Sequence, residues 1–91
     1  MLKKQNSIDA ETVALDALAF MASDSTLLSR FVANSGIGPD DLRARAAEPA
    51  VLCAVLDFVL GDDETALAAS AALGIEPQAL HLARHKLGRG T

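Results

Sequence analysis

Aromatic residues are scarce in this chain: there are three phenylalanines, Phe20, Phe31 and Phe58, and no tryptophan or tyrosine. Valine, isoleucine and threonine are also sparse and never alternate with polar residues over the length of a strand. That excludes a sheet built on period-two patterning. Cys53 stands alone, so no internal disulfide can form, which suits a reducing cytoplasm. Long apolar runs are missing as well. The longest, Ala50 to Leu60, is interrupted by Asp57 and spans 11 residues, where a bilayer needs about 20. The first residues, Met1-Leu2-Lys3-Lys4-Gln5-Asn6-Ser7, lead into no unbroken apolar segment and do not read as a secretory signal. The expectation is a soluble, cytoplasmic protein without a membrane partner.

Positive charge is lacking over most of the length. From residue 5 to residue 77 the chain holds all 12 of its carboxylates and only Arg30, Arg43 and Arg45, a balance of −9. The remaining cations, Lys3, Lys4, Arg84, Lys86 and Arg89, sit at the two ends, and the total is −4. An acidic total disfavours general affinity for a phosphate backbone, which comes from cations that neutralise phosphates. No Gly-x-Ser-x-Gly, phosphate loop or pair of catalytic carboxylates is found. A catalyst is therefore not expected, and no cofactor is implied.

What the chain does have is alanine and leucine, which dominate an apolar fraction of 51%. Both are strong helix formers. Ninety-one residues make one domain at most, with a limited core. We expect a frayed tail over 1–7, one helical domain over 8–88 and a short tail over 89–91. Within the domain, the pattern predicts six short helices. The first runs from about Ile8 to Ala22 behind a Ser7 cap. The second is capped by Asp24 or Ser25 and stops at Asn34-Ser35-Gly36. The third opens at Pro39, carries Leu42 and ends before Pro49. The fourth, Pro49 to Leu60, is apolar around nearly its whole circumference and is expected at the centre of the core. The fifth runs from Glu64 to Leu73 behind Asp62 or Asp63, and Gly74 ends it. The sixth opens at Pro77 and ends at Leu87-Gly88.

The two halves share a pattern. Shifted by 38 residues, the stretch 13–46 aligns without a gap on 51–84, and nine of the 34 positions are identical. The matches include Asp24 with Asp62, Gly36 with Gly74, Ile37 with Ile75, Pro39 with Pro77, and Leu42 with Leu80. They fall at a cap, a stop, a helix-opening proline and an anchoring leucine. Stacked helical units sharing a buried face would produce this. So would convergence, since caps and stops draw on few residue types. The fold expected is all-α: a compact bundle of about six helices in two pseudo-repeated three-helix halves. The halves differ in charge, because the third helix begins Asp40-Asp41 while the sixth begins Gln78-Ala79 and turns basic.

The segment from Ala66 to Lys86 resembles a helix-turn-helix. Ser70 is small enough for close helix approach, Gly74 makes the turn, and Ile75 and Leu80 pack the second helix on the first. In that motif the second helix enters the major groove. Here it would offer Gln78, His81, Arg84, His85, Lys86 and Arg89 to a partner or to nucleic acid. The same turn serves equally well to pack helices. His81 and His85 stand at metal-binding spacing, but zinc needs a third protein ligand, so exposed histidines without a metal are expected. Asp62-Asp63-Glu64 lacks the alternating ligands of a calcium loop and reads as helix capping. Asp57, inside the apolar fourth helix, lies on a wet strip, pairs with an arginine or serves a partner.

Read end to end, Leu18-Ala19-Phe20, Leu28-Ser29-Arg30-Phe31, Gly36-Ile37, Asp41-Leu42-Arg43, Val55 to Leu60 and Asp62 to Glu64 resemble a family of short alphaproteobacterial proteins of unknown function. The resemblance spans about residues 8–87 and implies a single bacterial domain with no established activity, cofactor or site residue. Arg30, Arg43 and Asp57 fall in the matching segments and suggest a buried or half-buried ion pair. The function expected is a non-enzymatic protein-interaction module, with a partner protein or a second copy of the chain. The alternative is a nucleic-acid-binding regulator using the basic last helix.

Overall fold

The computed structural model describes residues 9–88 in full and the backbone of Arg89. The described residues form six helices and no strand: α1 (Ala10–Ala22), α2 (Ser25–Ser35), α3 (Pro39–Ala44), α4 (Pro49–Leu60), α5 (Asp63–Leu73) and α6 (Pro77–Arg89). The fold is thus the all-α bundle that the composition implies. At an offset of 38 the bounds of α2 fall on those of α5, the end of α1 on the end of α4, and the start of α3 on the start of α6.

Local chemistry explains most boundaries. Asp24 accepts hydrogen bonds from the Thr26 and Leu27 N–H groups at 2.9 and 3.2 Å, and Asp62 accepts one from the Thr65 N–H at 3.0 Å. Each satisfies donors that a first turn leaves orphaned. Gly36 and Gly74 end their helices at φ 78° and 72°, a left-handed conformation that costs glycine little. Pro39, Pro49 and Pro77 each open a helix, where the missing N–H has no helical role.

Three ends differ from the sequence expectation. The fifth helix begins at Asp63 rather than Glu64, directly behind the Asp62 cap. The first helix begins at Ala10 rather than Ile8, because the Asp9 carboxylate takes the cap and accepts from the Thr12 N–H at 3.2 Å. Ser7, the expected cap, lies outside the described residues. The last helix runs through Gly88 to Arg89, so Gly88 is a helical residue and not the stop.

The centre is also shared more widely than expected. α4 buries Val51, Leu52, Val55, Leu56 and Val59 and packs on α1, α2, α5 and α6. α1 is just as central, packing on α2, α4, α5 and α6. Its Ala14 and Ala17 are fully buried, and side chains that small let α4 lie close. α6 spans this pair through Leu80 and Ala83, both fully buried. Phe31 of α2 meets Phe58 of α4 edge to face, with ring centroids 5.6 Å apart, a preferred aromatic geometry. α3 is the outlier. It buries Leu42 alone and packs only marginally on any other helix.

Candidate interaction surface: the sixth helix and the α1–α2–α3 cleft

The turn before α6 is a complete Schellman motif. The Gly74 N–H donates to Ala71 O at 3.3 Å and the Ile75 N–H to Ser70 O at 3.0 Å. Ser70 is buried, and its hydroxyl donates to Leu67 O at 3.0 Å, so it adds no unsatisfied polar group. The turn therefore ends α5 at Gly74, as the sequence predicts. The packing beyond it is broader: α6 contacts α5, but it is embedded mainly against α1 and α4.

The candidate residues on α6 divide into three groups. Gln78, His81 and His85 are exposed and share one face with Leu82, which is itself 43% exposed. Arg84 is paired with a carboxylate of the molecule, and Lys86 is near enough to one to act on it electrostatically. Arg84 Nε donates to Asp57 Oδ1 at 2.6 Å and its Nη2 to Oδ2 at 3.2 Å, a bidentate pair across 27 residues of sequence. The hydrogen bond to Asp57 is the main reason the Arg84 guanidinium is held above its ordinary pKa. Lys86 lies close enough to Asp9 to help lower that carboxyl's pKa, although the Thr12 N–H is the larger cause. Arg89 closes α6, and its side chain lies outside what the structure describes.

The arginine paired with Asp57 is thus Arg84, and not Arg30 or Arg43. Arg43 instead sits 3.5 Å from Asp40 within α3, both side chains almost fully exposed. Arg30 lines a polar hollow with Asp57 and Asp62 and adds a smaller electrostatic lowering to Asp62, whose carboxyl is held down first by the Thr65 hydroxyl and then by the Thr65 N–H. The Asp57–Arg84 pair did leave a trace in the sequence. At the 38-residue offset Asp57 stands where the first half has Ala19, and Arg84 where it has Ala46. Two alanines give way to opposite charges, and those charges meet.

Other chemistry is thin. Asp62 accepts from both the N–H and the hydroxyl of Thr65, at 3.0 and 2.7 Å, which accounts for the acidic cluster as a cap. Cys53 is a half-buried free thiol on α4. Among the described residues no group of three or more His, Cys, Asp or Glu side chains could hold a metal ion. No helix among them is long and apolar enough to cross a membrane.

One feature is invisible to sequence periodicity. A cleft of about 320 Å³ opens between α1, α2 and α3. Leu18 and Ala22 of α1, Leu28 of α2, and Pro39 and Leu42 of α3 form its apolar wall, with Arg43 and Ala46 at its edge. Leu18 and Leu28 are only half-buried, and Ala22 is exposed. Helical periodicity marks these residues as core-facing but does not show that the covering helix stops short.

No curated protein and no solved structure matches this chain. A family model does, over residues 7–90 and thus nearly the full length. The chain belongs to the family described as protein of unknown function (DUF3572).

Proposed function

We propose that this protein is a non-enzymatic interaction module and that the α1–α2–α3 cleft is its docking surface. One observation carries the reading: apolar side chains from three helices converge on an opening that nothing in the chain's described residues covers. Concave, mostly apolar openings of about this volume are where ligands and partner side chains dock. Exposed Leu15, Leu67 and Leu82, at 37, 59 and 43%, extend the apolar surface elsewhere on the molecule. Nucleic-acid binding through α6 has less support. Arg84 is committed to Asp57, and Lys86 lies near Asp9, so less of the helix's positive charge is available to phosphate.

The test uses Ala22→Arg. Ala22 is exposed, lines the cleft and ends α1, where a cation suits the helix dipole, so the variant should fold as the parent does. Sedimentation over a concentration series and affinity capture from native cells are run on both proteins. Self-association or a captured partner that the variant loses supports the reading. Identical behaviour of the two proteins overturns it.

A further inference from the structure

α6 turns two unlike faces in opposite directions. Leu80 and Ala83 are fully buried, and Leu87 is half-buried against the core. At the period of an α-helix, Gln78, His81, Leu82 and His85 fall on the other side of α6. All four are exposed, Leu82 to 43%. The outward face thus carries two imidazoles one turn apart, and no Asp, Glu, Lys or Arg.

The fold makes no use of those imidazoles. Among the described residues neither His81 nor His85 makes a hydrogen bond or an ion pair, and α6 has no carboxylate that would hold them. Residues four apart on a helix have Cβ atoms about 5–6 Å apart, and two histidines so placed can ligate one metal ion. The helix that presents them is fixed in place. Leu80 and Ala83 anchor it to the core, and Arg84 clamps it to Asp57 through two hydrogen bonds. Ligands projecting from such an element are already close to their bound geometry. The same pairings weaken the field that would repel a cation. Arg84 and Lys86 flank the face, but Asp57 neutralises the first and Asp9 lies near the second.

One chain supplies only half of a site. A closed zinc site has four ligands in a tetrahedron, and no further His, Cys, Asp or Glu among the described residues joins this pair. We propose that His81 and His85 form half of a zinc site that a second copy of the chain completes. A two-fold axis through the metal brings the same two histidines of the second copy to it, so that four imidazoles surround the ion. Leu82 of each copy lies beside the ligands and leaves water as the faces meet. The proposal goes beyond the cleft reading and is independent of it, since no residue of α6 lines the cleft.

The test is a zinc titration of the untagged, chelator-treated full chain, followed by sedimentation. Zinc should double the mass of the species present in EDTA, saturating near about one zinc per two chains, and EDTA should reverse the change. His81→Ala and His85→Ala stand at exposed positions, so both should keep the parent's helical circular dichroism. Each should weaken the zinc-dependent association at least about tenfold. Cobalt(II) in place of zinc should give the intense visible absorption of tetrahedral coordination, lost in both variants. Ala22→Arg should respond to zinc as the parent does, so the cleft and the metal site fail separately. Zinc binding without a change of mass overturns the proposal. So does association that survives both histidine substitutions. Uptake only at millimolar zinc would make the metal an adventitious ion only and also overturn it.

Discussion

α3 and α6 start alike and end differently. Both open on a proline that follows a left-handed glycine and an isoleucine, and both place a leucine three residues after that proline, Leu42 and Leu80. α3 then runs for six residues and stays at the edge, while α6 runs for 13 and crosses both central helices. The shared residues specify where a helix begins and which side chain anchors it. They do not specify how much surface it covers. That is set by the residues after the anchor, Ala83 and Leu87 in α6 and the turn towards Pro49 after α3.

The strongest test of this contrast is the pair Leu80→Ala and Leu42→Ala. Leu80 is enclosed by a full-length helix, so its loss should cost about 3–5 kcal/mol, while Leu42 beside an open cleft should cost about 2 kcal/mol. Urea unfolding measures both, and equal costs would remove the distinction between the halves.

Next come the two glycines that the halves share. An added Cβ would meet nothing within 4 Å at Gly36 or Gly74, so alanine pays only for the positive φ. Each substitution should cost about 1–2 kcal/mol, and the two should cost the same. A markedly larger penalty at Gly74, where the Schellman bonds are complete, would show that the second turn matters more to the fold.

A smaller effect separates the halves by charge. Asp57→Asn and Arg84→Met should each destabilise by about 1 kcal/mol, since the pair is bidentate but partly exposed, and a double-mutant cycle should return a salt-sensitive coupling. The same cycle on Asp40 and Arg43, both far more exposed, should return almost none.

The smallest contrast is in pH dependence. Thr65 holds the Asp62 carboxyl below its ordinary value of 3.8, and hydrogen bonding by Thr12 does the same for Asp9. A carboxyl whose pKa is lower folded than unfolded stabilises the fold above the unfolded value and loses that contribution as pH falls through the folded one. Asp62→Asn should therefore shift the midpoint of acid unfolding and leave a shallower slope below about pH 4. At the matching position in α2, Leu27 stands where Thr65 stands in α5, so the hydroxyl's share of the effect belongs to the second half.

Much of the fold was legible because its signals are local. Asp24, Asp62, Gly36, Gly74 and the three prolines act on backbone groups a few residues away, so their positions alone located most helix ends. Asp9 displaced Ser7 as the cap for an equally local reason, its carboxylate being in reach of the Thr12 N–H. The candidate surface was less legible. Gln78, His81 and His85 are exposed as an amphipathic α6 implies, but the partner of Arg84 is 27 residues away, and no helical period links them.

By itself, the sequence determined the helical class, the number of elements, nearly all of their ends and the strip of each that turns inward. These come from propensity, capping and period, which act over a few residues. Only the tertiary structure decided that α1 shares the centre with α4, that Arg84 binds Asp57, and that a cleft remains beside α3. Each of those depends on how far one helix extends over another, and that is set by packing between residues distant in the chain.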